Sequence, residues 1–128
     1  MRISRGLLVP SHRLAGRLIL LVEDEPLVVL DVEKALRGAG ARVVSAGYVE
    51  SGLYTIEHPD LSAAVVDLHL GRSSGETVCR RLRHLRVPFV VYTGYPPVLI
   101  TSLWPDVPVI SKPADTRQIV EALVALLD

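Results

Sequence analysis

Four short apolar runs along the chain each stop at a polar group. Leu18-Ile19-Leu20-Leu21-Val22 ends at Glu23-Asp24-Glu25, and Ala63-Ala64-Val65-Val66 ends at Asp67. Phe89-Val90-Val91-Tyr92 ends at Thr93, and Val107-Pro108-Val109-Ile110 leads to Lys112. Runs of this length, rich in β-branched residues, predict buried strands over 17–23, 62–68, 89–93 and 107–111. Arg42-Val43-Val44-Ser45-Ala46 predicts a fifth, shorter strand.

Between the strands the hydrophobic period changes to that of a helix. Pro26 suits a first helical turn, and Val29, Val32, Leu36 and Ala39 recur opposite Asp31, Glu33, Lys34 and Arg37. Gly38 and Gly40 end that helix. A modest helix is expected from Val49 to Glu57, stopping near His58-Pro59. Another runs from Glu76 to Leu85, burying Val78 and Leu82, after a loop Gly71-Arg72-Ser73-Ser74-Gly75. Thr116 to Leu127 is amphipathic, with Ile119, Val120, Leu123, Val124 and Leu127 inward. The stretch 96–104 is the poorest helix former, because two prolines open it and Val98, Ile100 and Thr101 are β-branched.

Strict alternation of β and α predicts a doubly wound α/β sandwich with a parallel sheet and right-handed crossovers. Ligands of such sheets bind beyond the carboxyl ends of the strands. All four polar signals fall there.

The chain has 128 residues, the size of one domain; 49% are hydrophobic and 22% charged, which excludes a disordered chain. The 14 basic and 14 acidic residues balance, which gives no support to DNA or anionic-membrane binding. A single cysteine, Cys79, excludes an intramolecular disulfide and suits a reducing, cytoplasmic setting. No apolar run approaches the roughly 18–20 residues of a membrane helix. Residues 1–16 surround Leu7-Leu8-Val9 with Arg2, Arg5 and Arg13, too short an apolar stretch for a secretory signal, and read as an N-terminal extension to a domain over 17–128.

Glu23, Asp24 and Asp67 at one sheet edge would repel one another, and a hard dication with oxygen ligands resolves the conflict. Mg²⁺ is favoured, since it takes one or two carboxylates and keeps waters for a phosphate ligand. Lys112 adds a positive charge and Thr93 a hydroxyl donor, so the set suits a phosphoryl group with Asp67 as nucleophile. Singly, the residues admit other roles. Asp24 could cap a helix, Thr93 could be an ordinary strand residue, and Lys112 could be a solvated lysine. It is their common placement that points to chemistry. His69 reads as a wall of the site, and Arg80-Arg81-Arg83-Arg86 as a solvated helix face. Trp104, with Leu99 and Leu103, reads as core.

From about residue 17 to 127 the chain resembles a response-regulator receiver domain of two-component signalling. Leu20-Leu21-Val22-Glu23-Asp24-Glu25-Pro26 is similar to the family's first-strand motif, and Val65-Val66-Asp67-Leu68 to its phosphoacceptor strand. Thr93-Gly94 matches its switch hydroxyl and Ser111-Lys112-Pro113 its lysine–proline signature. Pro88-Phe89-Val90-Val91-Tyr92-Thr93-Gly94-Tyr95 resembles the fourth strand of a stand-alone subgroup familiar from alphaproteobacteria, departing from it at Val91 and Tyr92.

The resemblance implies a flavodoxin-like fold with sheet order 2-1-3-4-5. It implies a phosphoacceptor Asp67, with Mg²⁺ ligated by Asp24, Asp67 and the main-chain carbonyl of His69, and by Glu23 through water. A cis Lys112–Pro113 bond is also implied. The partners expected are a histidine kinase or histidine phosphotransfer protein, a downstream protein contacted directly or by phosphorelay, and, weakly, a second copy of the chain. Enzymatic activity is expected only toward its own aspartyl phosphate, and the receiver would occupy essentially the whole chain. Three positions depart from the family pattern: Glu23 for an aspartate, Gly71 for a proline, and Ile110 for an aromatic residue that changes rotamer.

Two other classes use related chemistry or the same architecture. An Mg²⁺-dependent aspartyl-nucleophile phosphohydrolase would carry a second aspartate two residues after its nucleophile, where Asp24 is followed by Glu25-Pro26 and Asp67 by Leu68-His69. A flavodoxin-like electron carrier would want a hydroxyl-rich phosphate loop after the first strand, where the acidic run would repel the flavin phosphate.

Overall fold

The computed structural model describes residues 12–128. The expected extension therefore lies largely outside the described residues, but its last part packs on the domain. Leu14 is fully buried in the core and its N–H donates to the Ala39 carbonyl at 2.8 Å.

Five parallel strands form one sheet: β1 (Leu18–Val22), β2 (Arg42–Ala46), β3 (Ala63–Val66), β6 (Phe89–Thr93) and β7 (Val109–Ser111), in the order β2-β1-β3-β6-β7. This is the expected flavodoxin-like order. The central strands are buried throughout, and apolar but for Thr93 at the end of β6, because helices cover both faces. Alternation along them divides the core. Ile19, Leu21, Ala63, Val65, Val90 and Tyr92 face α1 (Pro26–Gly38) and α5 (Thr116–Leu127). Leu20, Val22, Ala64, Val66, Phe89 and Val91 face α2 (Val49–Ile56), α3 (Glu76–His84) and α4 (Pro97–Thr101).

Two local features differ from the expectation. The loop after β3 contains a small antiparallel hairpin, β4 (His69–Leu70) with β5 (Ser73–Ser74). Gly71 opens its two-residue turn with φ of 58°, a backbone conformation that glycine adopts without strain. The stretch 96–104 yields only the five-residue α4. Of its apolar residues Ile100 is buried and Trp104 packs edge-on against Phe89, whereas Leu99 and Leu103 are exposed, because so short a helix offers one inward position. The arginines of α3 are paired: Arg80 with Glu76, Arg81 with Glu57 and Arg83 with Asp106. Such exposed pairs add little stability. No helix among the described residues is long and apolar enough to cross a membrane.

Candidate functional site

Three polar or charged side chains are buried among the described residues, Glu23, Asp67 and Thr93, and all stand at the carboxyl edge of the sheet. The backbone ladder carries them there. The Glu23 N–H donates to Ala46 O at 3.0 Å, the Asp67 N–H to Val22 O at 2.9 Å, and the Lys112 N–H to Thr93 O at 2.9 Å. Glu23, Asp67 and Lys112 are thus each held one step beyond their strands, and Thr93 at the end of its own, where side chains from neighbouring strands converge.

Lys112 is the hub. Its Nζ donates to Glu23 Oε1 at 2.7 Å and to Asp67 Oδ2 at 3.0 Å, and lies 3.4 Å from Glu25 Oε1. The other Asp67 oxygen, Oδ1, accepts the His69 N–H at 3.0 Å, and Glu23 Oε2 accepts the Glu25 N–H at 3.1 Å. The bond between Lys112 and Pro113 is cis, as the resemblance implied. A cleft of about 330 Å³ opens above this cluster, lined by Glu25, Asp67, His69, Gly94, Tyr95 and Lys112.

Burial pushes the Glu23 carboxyl up from its ordinary value, and the charge of Asp67 adds to this, against the opposing hydrogen bonds from Lys112 and the Glu25 N–H. For Lys112, burial works to lower the pKa, but Glu23 and Asp67 together outweigh it and the ammonium is held above its usual range.

Carboxylate oxygens of Glu23, Glu25 and Asp67 lie within 4.8 Å of one another. One ammonium faces these three carboxylates, so the cluster is short of positive charge, and its all-oxygen donor set fits a hard dication. Glu25 was not singled out from the sequence. Its nearness to Lys112 depends on two long side chains, and the only sequence signal was its place in the acidic run. Asp24 stands apart from this cluster. It is exposed and forms no hydrogen bond or ion pair among the described residues, and its Oδ2 lies 3.8 Å from where a Cβ on Gly71 would stand.

Thr93 is fully buried, and its Oγ1 accepts the Tyr95 N–H at 3.3 Å. Tyr95 crosses the cleft, with its hydroxyl 3.1 Å from His69 Nδ1 and the two rings edge to face at 5.9 Å. His69 therefore forms a wall of the cleft, as its position suggested. Below the site, Gly75 N donates to Leu68 O at 2.9 Å, and a Cβ on Gly75 would stand 2.3 Å from the Asp67 carbonyl oxygen. The α3 start is thus pressed against the backbone of Asp67.

Residues 19–124 match the response regulator receiver domain family. The chain belongs to that family. This receiver is 31% identical over 92 residues to the phyllosphere-induced regulator PhyR of Methylorubrum extorquens, an alignment covering 69% of the chain and 34% of PhyR. The chain thus spans only part of that relative. Among solved structures, a response regulator receiver protein from Sinorhizobium medicae superposes with a TM-score of 0.81 at 26% identity, covering 89% of this chain and 96% of that one. The receiver domain of the sensor histidine kinase PA1611 from Pseudomonas aeruginosa, which holds a magnesium ion in its active-site cleft, superposes with a TM-score of 0.76 at 25% identity. That alignment covers 88% of this chain and 98% of the other.

Proposed function

We propose that this receiver takes a phosphoryl group onto Asp67 from the phosphohistidine of a histidine kinase or a histidine phosphotransfer protein. The observation that carries the reading is the placement of Asp67. It is a buried carboxylate at the floor of an open cleft, with one oxygen on the Lys112 ammonium and the other on a main-chain N–H.

In the transfer, an Asp67 oxygen attacks phosphorus and the P–N bond to the donor imidazole breaks. The electron pair leaves with the ring nitrogen, which takes a proton from solvent. Lys112 neutralises charge beside the acceptor. The Thr93 hydroxyl accepts from the Tyr95 N–H, which leaves its own proton to donate to a phosphoryl oxygen. Mg²⁺, held by the carboxylates of Asp24 and Asp67 and the His69 carbonyl, with Glu23 through water, would supply positive charge against the phosphoryl oxygens. The magnesium in the cleft of the PA1611 receiver supports a metal at this edge of the sheet.

The phosphoryl group is passed on by relay or read out by protein contact, in the cytoplasm where kinase output is delivered. Catalysis extends only to the chain's own phosphorylation and dephosphorylation. Incubation with Mg²⁺ and acetyl phosphate or phosphoramidate should add one acid-stable, base-labile phosphoryl group by intact mass. Asp67→Asn should abolish it while leaving the fold intact, and full labelling of that variant would overturn the assignment.

A further inference from the structure

The sheet face that packs on α1 and α5 carries an aromatic ring beside the site that the transfer step does not use. Tyr92, the penultimate residue of β6, is only 6% exposed. Its register partner on β7 is Ile110, and partners in a parallel ladder present side chains on the same face. Lys112 follows Ile110 by two residues, and its Nζ stands over the Tyr92 ring, 5.4 Å from the centroid. The ammonium therefore has three carboxylate partners and an aromatic face around it.

A cation within about 6 Å of a ring centroid, over its face, is attracted by the ring quadrupole, more strongly as water is removed. The Lys112 side chain is 16% exposed, so the contact is largely screened from solvent. Among the described residues the Tyr92 hydroxyl makes no hydrogen bond, so the residue acts on the site through its ring. A lysine on a flexible four-carbon stem has a choice of carboxylates here, including the exposed Glu25. Something must limit that choice.

We infer that Tyr92 is a positioning residue for phosphoryl transfer: its ring face holds the Lys112 ammonium beside Asp67. The ring closes the side of the cation turned toward the core and keeps it from drifting outward to Glu25. This inference rests on the reading of Asp67 as acceptor.

The test compares the wild type with Tyr92→Phe and Tyr92→Leu, using the full chain with phosphoramidate and Mg²⁺. The Phe variant, which keeps the ring, should label at about the wild-type rate. The Leu variant should label roughly three- to tenfold more slowly, the rate equivalent of losing a partly desolvated cation–π contact. The second readout, the NMR shift of the Lys112 ε-methylene protons, reports whether the ring lies over the ammonium in solution. The ring current should displace them upfield in the wild type and the Phe variant, and they should return toward the ordinary lysine position in the Leu variant. Equal labelling by a folded Leu variant, or an ordinary Lys112 shift in the wild type, overturns the inference and leaves Asp67 as acceptor. If the Leu variant does not fold, the wild-type spectrum and the Phe variant decide, since slow labelling by a folded Phe variant, which keeps the ring, overturns the inference. If the wild type itself takes no phosphoryl group, the acceptor reading fails, and the Lys112 shift still reports on Tyr92 independently.

Discussion

The carboxylate of Glu23 and the ammonium of Lys112 meet at 2.7 Å although 89 positions separate them in the chain. The pair joins the ends of β1 and β7, strands that are not neighbours in the sheet, with Asp67 between them on the central strand. The electrostatics of the Asp67 carboxylate are thereby shared by both halves of the fold.

Removing the ammonium should expose this dependence. Lys112→Met leaves Glu23 and Asp67 as buried carboxylates with no cation between them. Breaking one partner of a buried ionic cluster costs about 3 kcal/mol. Urea unfolding without metal should show a loss of that order, and Mg²⁺ should restore part of it by binding the folded form. Phosphoramidate labelling should fall sharply in the same variant.

The metal-free protein should also carry a pH signature from Glu23. Its folded pKa lies above the unfolded value of 4.5, so between these two values the folded state binds more protons than the unfolded state. The Glu23 contribution is fully present below the unfolded pKa and is lost as pH rises through the folded one. Glu23→Gln should flatten the decline in melting temperature across that interval. The raised Lys112 pKa has the opposite reach, with its contribution retained at neutral pH and lost only in strongly alkaline solution.

Asp24 should matter more for Mg²⁺ than Glu23 does. Both Glu23 oxygens are already engaged, by Lys112 and by the Glu25 N–H, whereas Asp24 is exposed with its oxygens uncommitted among the described residues. Calorimetric titration should therefore show a larger loss of affinity for Asp24→Asn than for Glu23→Gln, and the reverse order would exchange their roles.

Occupation of the acceptor should be felt beyond Thr93. Its hydroxyl holds the Tyr95 N–H, and Tyr95 in turn reaches His69, so a Thr93 drawn toward a phosphoryl oxygen pulls on both. The following segment has little to resist with. The helix α4 is five residues long and leaves Val98, Leu99 and Leu103 exposed. Hydrogen exchange with beryllofluoride, a phosphoryl mimic, should show altered protection across 94–106, on a surface apolar enough to meet a partner. Unchanged protection there, alongside ligand binding at Asp67, would mean that the signal leaves by another face.

The strands were legible in the sequence because each central one is buried on both sides and so reads as an unbroken apolar run. Asp67 and Lys112 stood out for the complementary reason, as charges placed where such runs stop. Features set by pairing geometry were not legible. The His69–Leu70 and Ser73–Ser74 hairpin is too short for any periodicity. Leu14 lies alone among polar and small residues, and only its contact with the α1 end brings it into the core. Tyr92 looked like one more apolar residue of its run. Its relation to Lys112 follows from the β6–β7 register, which local sequence does not encode.

The contact between Gly75 and the Asp67 carbonyl divides the neighbouring loop into two zones of differing tolerance. A methyl group at position 75 would wedge against the main chain that carries the Asp67 carboxylate. Arg72 and Ser73, by contrast, are exposed on a hairpin already closed at its base, so their replacement leaves that main chain where it is. The rim of the cleft is therefore free to diversify in shape and charge while its foundation stays fixed. A change of contour or charge at that rim is therefore decoupled from the position of the buried carboxylate beneath it.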